Sequence, residues 1–430
     1  MSLISSHITK VLKLNILLLF ATNCFIINSF SQQTKMVSGT FVQEFYAINQ
    51  YQLFWLSSQK NSKQAIEWLN EMDKADNLGL ISDKSKTDKI RKELYNANLF
   101  DSTFKMQLDT QITSLVLHFL KNLQTGNINF NYDEISVQRD SVYIFQLLNS
   151  KPRKSVSKMI SQLDCKSHDY AILKKFLQDS ITKTDTFRHN AVILAMNYQR
   201  FLTLNHQSEY VLVNIPSAEA EYFYNDQMSL KMRTVIGRKK NQTPLIASYI
   251  TSIITFPYWN VPHSIAVKEI LPKAQMDSNY LEENNLFIID NQGNQIADSG
   301  LRWEKFTEQN FPYHFRQSNG ADNAMGIIKF NLQNPYSIYL HATNWQGVFE
   351  KNDRFLSHGC IRLEKPFELA EALLRRKLDI EKLENDAENI PSKTWMLPHK
   401  IPTYLIYSPA VVVGENVVFY PDYYKITNNK

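Results

Sequence analysis

At 430 residues the chain is too long for one ordinary hydrophobic core, so two or three domains are expected. Its 43% hydrophobic and 21% charged residues are ordinary for a globular protein. The net charge of +5, which falls to +3 if Lys10 and Lys13 are lost with a leader, is too small for nucleic-acid binding, and no basic stripe interleaves with aromatics.

Taking the chain in order, Lys10 and Lys13 precede an apolar run over 14–20 that continues with breaks to Ile27. Ser29-Phe30-Ser31 then puts small residues at the two positions a signal peptidase reads, so residues 1–31 are read as a secretory signal peptide. The run is short for a transmembrane helix, which needs ~20 apolar residues. An uncleaved membrane tether is the alternative, and lipidation of Cys24 is disfavoured by the bulk of Asn23 before it. Each version takes the bulk of the chain out of the cytoplasm. With Cys24 in the leader, Cys165 and Cys360 remain, which is no disulfide framework. Cys165 reads as a buried structural residue.

Residues 38–205 read as helical. Phe41, Phe45, Ile48, Leu53 and Trp55 predict a first amphipathic helix. Ala65, Ile66, Leu69 and Met72 continue the pattern to a stop at Leu78-Gly79-Leu80. Asp101 and Ser102 cap a long helix over about 103–123, ended by Gly126. Tyr143, Phe145 and Leu147 predict another; 150–187 carry no clear period; 188–205 predict a helix feeding the second half. The aromatic and Met positions read as core. His118, His168 and His189 have no partners at metal-ligand spacing.

From Tyr210 the period becomes that of strands: 210–215, 221–224, 230–236 and 286–290, then 327–330, 337–341, 404–410 and 417–420. The second domain is therefore expected to be mostly β, over 208–425. Segment 366–376 predicts a helix with Pro366 at its start. Residues 251–326, rich in Trp, Tyr, Pro and Asn, are too long for a plain connection and read as a lid or substrate wall; a packed insertion with no ligand role is the alternative.

The chemistry is carried by 339–362. His341 closes a β-type run, and Ser357-His358-Gly359-Cys360 follows, just before the predicted helix. A thiol with pKa ~8.5 is mostly protonated at neutral pH and needs a base to become nucleophilic. His341 can take that proton, leaving thiolate and imidazolium paired. His358 is too near in sequence to be the base and is read as shaping the loop. Gly359 lets backbone approach the substrate, and the N–H groups of Gly359 and Cys360 are candidates for an oxyanion hole. A papain-like peptidase is disfavoured, because there the histidine follows the cysteine.

Ser357-His358-Gly359-Cys360-Ile361-Arg362 with His341 upstream resembles the signature of L,D-transpeptidases with a YkuD-type catalytic domain. Met232-Arg233-Thr234-Val235-Ile236-Gly237, Gln242-Thr243-Pro244, Tyr258-Trp259-Asn260-Val261-Pro262, Asp322-Asn323-Ala324-Met325-Gly326 and Lys329-Phe330-Asn331 resemble segments of the large YcbB-type subclass. The stretch around Leu123-Gln124-Thr125-Gly126 is similar to that subclass's scaffold domain. The resemblance implies an α+β protein: a helical scaffold domain, then a β-sandwich catalytic domain whose cleft lies under a capping subdomain. It implies that Cys360 attacks the third-residue carbonyl of a peptidoglycan tetrapeptide stem and expels D-alanine, the thioester then passing to a side-chain amine of a neighbouring stem. His341 would be the base, oriented by the carbonyl of Ala342. Tyr339, Trp259, Arg362 and Ser357 would meet substrate. No metal or cofactor is implied, carbapenems would acylate Cys360, and the location would be the periplasm or cell envelope. One departure is the short 179–188 region, where the subclass often carries a peptidoglycan-binding insertion. An L,D-carboxypeptidase or hydrolase on the same fold, or a non-catalytic peptidoglycan-binding scaffold, are the alternatives.

Overall fold

The computed structural model describes residues 40–97, 101–136, 141–179, 184–385 and 391–427. The expected leader with Cys24 lies outside them, as does part of the 179–188 connection. The described residues fall into two compact units, those within 1–128, 137–205 and 410–419 in the first, those within 129–136, 206–409 and 420–430 in the second.

The first unit is built from α1 (Thr40–Ile48), α2 (Gln59–Met72), α3 (Lys84–Tyr95), α4 (Ser102–Thr125), α5 (Ser141–Leu148), α6 (Val156–Leu163), α7 (His168–Leu177) and α8 (Thr186–Leu204). Asp101 caps α4 by accepting the Phe104 N–H at 2.8 Å, and Gly126 ends it at φ +75°, as the sequence predicts. The first helix stops earlier than expected. Gln50 and Tyr51 turn to positive φ, and the N–H groups of Phe54, Trp55 and Leu56 leave the helical ladder for the carboxylate of Asp109, at 2.9, 2.8 and 2.8 Å. Asp109 sits inside α4, fully buried, and also accepts the Tyr46 hydroxyl at 2.5 Å. Burial pushes its pKa up against those four donors. Residues 150–187 hold two short helices whose starts are marked by Ser155 and Ser167, each accepting a backbone N–H three residues on. Their brevity is why no period shows in the sequence.

In the second unit the strands are β1 (Tyr132–Asp133), β2 (Glu209–Asn214), β3 (Glu219–Tyr224), β4 (Gln227–Gly237), β5 (Ile246–Thr255), β6 (Trp259–Asn260), β7 (Leu286–Ile289), β8 (Gln295–Ile296), β9 (His314–Gln317), β10 (Ile328–Leu332), β11 (Leu340–His341), β12 (Phe355–Ser357), β13 (Ile361–Leu363) and β14 (Lys393–Ile406). The main sheet runs β1-β5-β10-β11-β13-β4-β3-β2-β14, and β14 pairs with β5 as well, so the sheet closes on itself. The two edges of β14 serve the two partners: 403–406 pair with β2, and 393–396 and 401–405 pair with β5 across a register shift between Met396 and Ile401. Strand β5, the hub of this closure, escaped the sequence reading: it is buried on both faces, so its alternation is blurred. The capping segment consequently begins after Thr255, later than the 251 read from composition. Only Leu340 and His341 of 337–341 are strand, since Ser337 has φ +56°.

The cap is a small sheet in the order β6-β9-β7-β8 with helical turns between 263 and 283. It has its own core, including Val267, Ile270, Leu271, Phe311 and Phe315. Of the last two predicted strands, 404–410 overlaps mainly the end of β14, while 417–420 falls in β16 (Asn416–Phe419), which pairs with the unpredicted β15 (Ala410–Val413) in a hairpin of the first unit. Phe419 packs on Phe176 and Phe187 there, with ring centroids 5.6 and 6.3 Å away.

Candidate active site

The closed sheet sorts its side chains by parity. Ile328, Phe330, Leu340, Ile361 and Leu363 face the main core, so the residues between them, Lys329, His341 and Arg362, face the other way. Register brings those three level: β10 sets Lys329 opposite His341, and parallel β13 sets Arg362 opposite it on the other side. Tyr339, two residues before His341, lies on the same face, its ring edge-on to the imidazole at 5.6 Å. Lys329 Nζ lies 4.2 Å from the Tyr339 ring centroid.

Cys360 immediately precedes β13, where the Ile361 N–H donates to the Tyr339 carbonyl at 3.1 Å. Its Sγ sits 3.7 Å from the Ser337 carbonyl oxygen. The backbone N–H and the phenol of Tyr339 both donate to the thiol. Burial raises the thiol pKa, while these donors and the charges of Lys329 and Arg362 pull it back. Cys360 and His341 thus share Tyr339 as a common neighbour, and among the described residues no hydrogen bond joins them directly. Cys165 and Cys360 are both free thiols.

His341 is buried, and burial, then the Arg362 charge, push its pKa down to about 3. Carbonyl oxygens of Ala342 and Met325 border the ring and favour its protonated form, yet Nδ1 itself is buried without a hydrogen-bond partner. The imidazole is therefore neutral at rest, and the resting thiolate–imidazolium pair expected from the sequence is not favoured.

Gly326, at φ +61°, packs under this segment: a Cβ there would meet the Thr343 nitrogen at 2.7 Å and the Ala342 Cβ at 2.8 Å. Gly359, at φ +119°, turns the chain into Cys360. Its N–H donates to Ser357 Oγ at 3.0 Å, and that hydroxyl donates to the Cys360 carbonyl at 2.6 Å. Two expectations change here. Ser357 is buried and staples the loop rather than facing a substrate, and the Gly359 N–H is already occupied. Of the two loop N–H groups expected to face an oxyanion, that of Cys360 is the one Ser357 Oγ does not take. Thr243, in the Gln242-Thr243-Pro244 segment, supports the same turn by donating its hydroxyl to the Gly359 carbonyl at 2.8 Å.

Residues 208–401 match the model of the L,D-transpeptidase catalytic domain, and residues 40–177 match that of the Scaffold domain. The chain carries a YkuD-type L,D-transpeptidase catalytic domain after a Scaffold domain. It is 30% identical over 315 residues to a Haemophilus influenzae protein named "Putative L,D-transpeptidase", with 72% of this chain covered. The matched stretch spans 63% of that relative's length. A solved structure of the "Ldtfm-avibactam carbamoyl enzyme" aligns with 47% of this chain and 51% of its own at 11% identity and a TM-score of 0.20.

In this L,D-transpeptidase domain the cap reaches the site through two side chains. Trp259 in β6 hydrogen-bonds the Tyr339 phenol. Glu269 accepts from His358 at 2.6 Å and from Arg238 at 3.1 Å. His358 thus ties the Cys360 loop to the cap, a sharper role than the loop-shaping expected of it. Lys329, Thr243, Arg238 and Glu269 were given no role from sequence. The first two stood in segments that resemble the family, while Glu269 carried no local signal.

Proposed function

We propose that the protein is a peptidoglycan L,D-transpeptidase with Cys360 as nucleophile and His341 as general base. The observation that carries this reading is a buried, neutral imidazole with an unpartnered Nδ1, sharing the Tyr339 ring with a thiol that receives two donors. The carbonyls of Ala342 and Met325 hold the ring proton on the other nitrogen, leaving the Nδ1 lone pair for the thiol proton. As Sγ attacks the third-residue carbonyl of a tetrapeptide stem, its proton passes to His341 and the carbonyl electrons move to oxygen, facing the Cys360 N–H. Collapse of the intermediate breaks the peptide bond. The departing D-alanine amine takes the proton from His341, and a thioester remains. The side-chain amine of a second stem then attacks the thioester, gives a proton to His341 and forms the cross-link, and the leaving thiolate recovers that proton. Trp259 and Tyr339 form the aromatic wall of the donor site, and Arg362 faces the donor's carboxylate.

Export through a signal peptide to the periplasm or cell envelope, a membrane tether if that leader stays uncleaved, and acylation of Cys360 by carbapenems belong to the same reading. Water in place of the second amine would give a tripeptide, the carboxypeptidase alternative, with every step to the thioester shared. Purified protein incubated with disaccharide tetrapeptide and followed by mass spectrometry tests this. A cross-linked dimer with loss of one D-alanine is expected, and none from Cys360→Ala. Dimer formation by the Cys360→Ala protein would refute the assignment.

A further inference from the structure

The site holds two cations that no carboxylate answers. Among the described residues neither Lys329 nor Arg362 makes an ion pair, and the Arg362 Nε is buried without a hydrogen-bond partner. Half-buried positive charge is costly unless negative charge meets it. Lys329 is seated on the Tyr339 ring at 4.2 Å, and the phenol on that ring donates to the thiol. Register sets the same lysine directly across from His341. The anion that the chemistry generates at this spot is the sulfur of Cys360.

We propose that Lys329 is a positioning residue for the nucleophile: its ammonium, held on the Tyr339 ring and level with His341, is the counter-charge of the Cys360 thiolate. It plays the part that an imidazolium plays where the base is free to charge. This rests on the reading of Cys360 as nucleophile. The coupling is mutual: the lysine charge lowers the thiol pKa, and a thiolate raises the lysine pKa against the burial that lowers it. Lys329 makes no covalent bond and keeps its protons. The thiol proton goes to His341 and from there to the departing amine. The other groups facing the thiol are Tyr339, Arg362 from β13 and, beside Tyr339, His341 from β11; the cap contributes the uncharged Trp259. Glu269, His358 and Arg238 satisfy one another nearby.

Alkylation of Cys360 by iodoacetamide reads the thiolate without any wall substrate. The full chain is labelled across pH 5–10, a range of about five units bracketing the ordinary thiol value, and the Cys360 peptide is separated from other cysteine peptides by mass. In Lys329→Met the midpoint of the labelling curve is expected to rise by about one pH unit, and in Lys329→Arg to return toward the parent value. With substrate, Lys329→Met is expected to lower kcat while KM changes little. A labelling curve unchanged in a folded Lys329→Met protein overturns the proposal, as does a defect confined to KM, which would make Lys329 a substrate-carboxylate ligand. Should that variant fail to fold, Lys329→Gln supplies the uncharged arm. Cross-linking by Cys360→Ala would refute the nucleophile reading, whereas an unmoved midpoint refutes only the role of Lys329.

Discussion

At the sulfur of Cys360, burial works against ionisation and the two Tyr339 donors work for it. Removing the phenol in Tyr339→Phe should raise the thiol pKa and lower kcat/KM about tenfold near neutrality, the worth of one hydrogen bond to a charged group. The loss should shrink at alkaline pH, which a kcat/KM profile checks. His341 gives a second pH signature. With its pKa pushed to about 3, the free enzyme carries a neutral base throughout the ordinary working range, so the acid limb of kcat/KM should lie below pH 5, about 1.5 units under that of an unperturbed histidine. The stability linkage has the same origin. Between the unfolded value near 6.5 and the folded value the unfolded chain binds the extra proton, so stability falls as pH drops through that window, and His341→Gln should flatten the slope in acid melts. Trp259→Ala, which removes a hydrogen bond to Tyr339 and part of the proposed donor wall, should lower kcat/KM at unchanged Tm; an unchanged kcat/KM would return Trp259 to a packing role.

At the scale of elements, the cap is joined to the Cys360 loop by half-exposed charges around Glu269. Such contacts are worth ~0–1 kcal/mol, so Glu269→Gln should leave Tm nearly unchanged while hydrogen exchange quickens across 263–276; equal exchange in both proteins would show that the tie does not hold the cap. Gly326→Ala should behave differently, since its Cβ would press on backbone next to His341 from a left-handed position. A loss of about 2 kcal/mol in denaturant unfolding is expected. The contrast also explains what the sequence could reveal. Cys360, His341 and Tyr339 were legible because one short stretch of the chain carries all three. Glu269 was not, lying 89 residues from His358 with no motif around it. Lys329 stands in a segment that resembles the family, but its neighbours in sequence give it no partner; the cross-strand register with His341 and the Tyr339 ring do. The helical half was legible where an apolar stripe ran for several turns, and illegible where Asp109 overruled it by drawing three amides out of the ladder.

For the molecule as a whole, two units should unfold as separable transitions. Asp109→Ala leaves the Phe54, Trp55 and Leu56 amides and the Tyr46 hydroxyl without their acceptor, so the helical unit should lose several kcal/mol, at 1–3 kcal/mol for each orphaned group. The transition of the strand-rich unit should stay in place, as read by alkylation of Cys360 in increasing urea. If both transitions moved together, the units would not be energetically independent. The route of the polypeptide adds a constraint of timing. Residues 129–136 leave the helices to join β5, and the hairpin of β15 and β16 comes back from the far end of the chain to cover Phe176, Phe187 and Ala191. The domain translated first is thus finished last. A nascent chain halted before residue 410 would present a bare greasy patch to chaperones and proteases, so the helical half is not safe from quality control until the hairpin has been made.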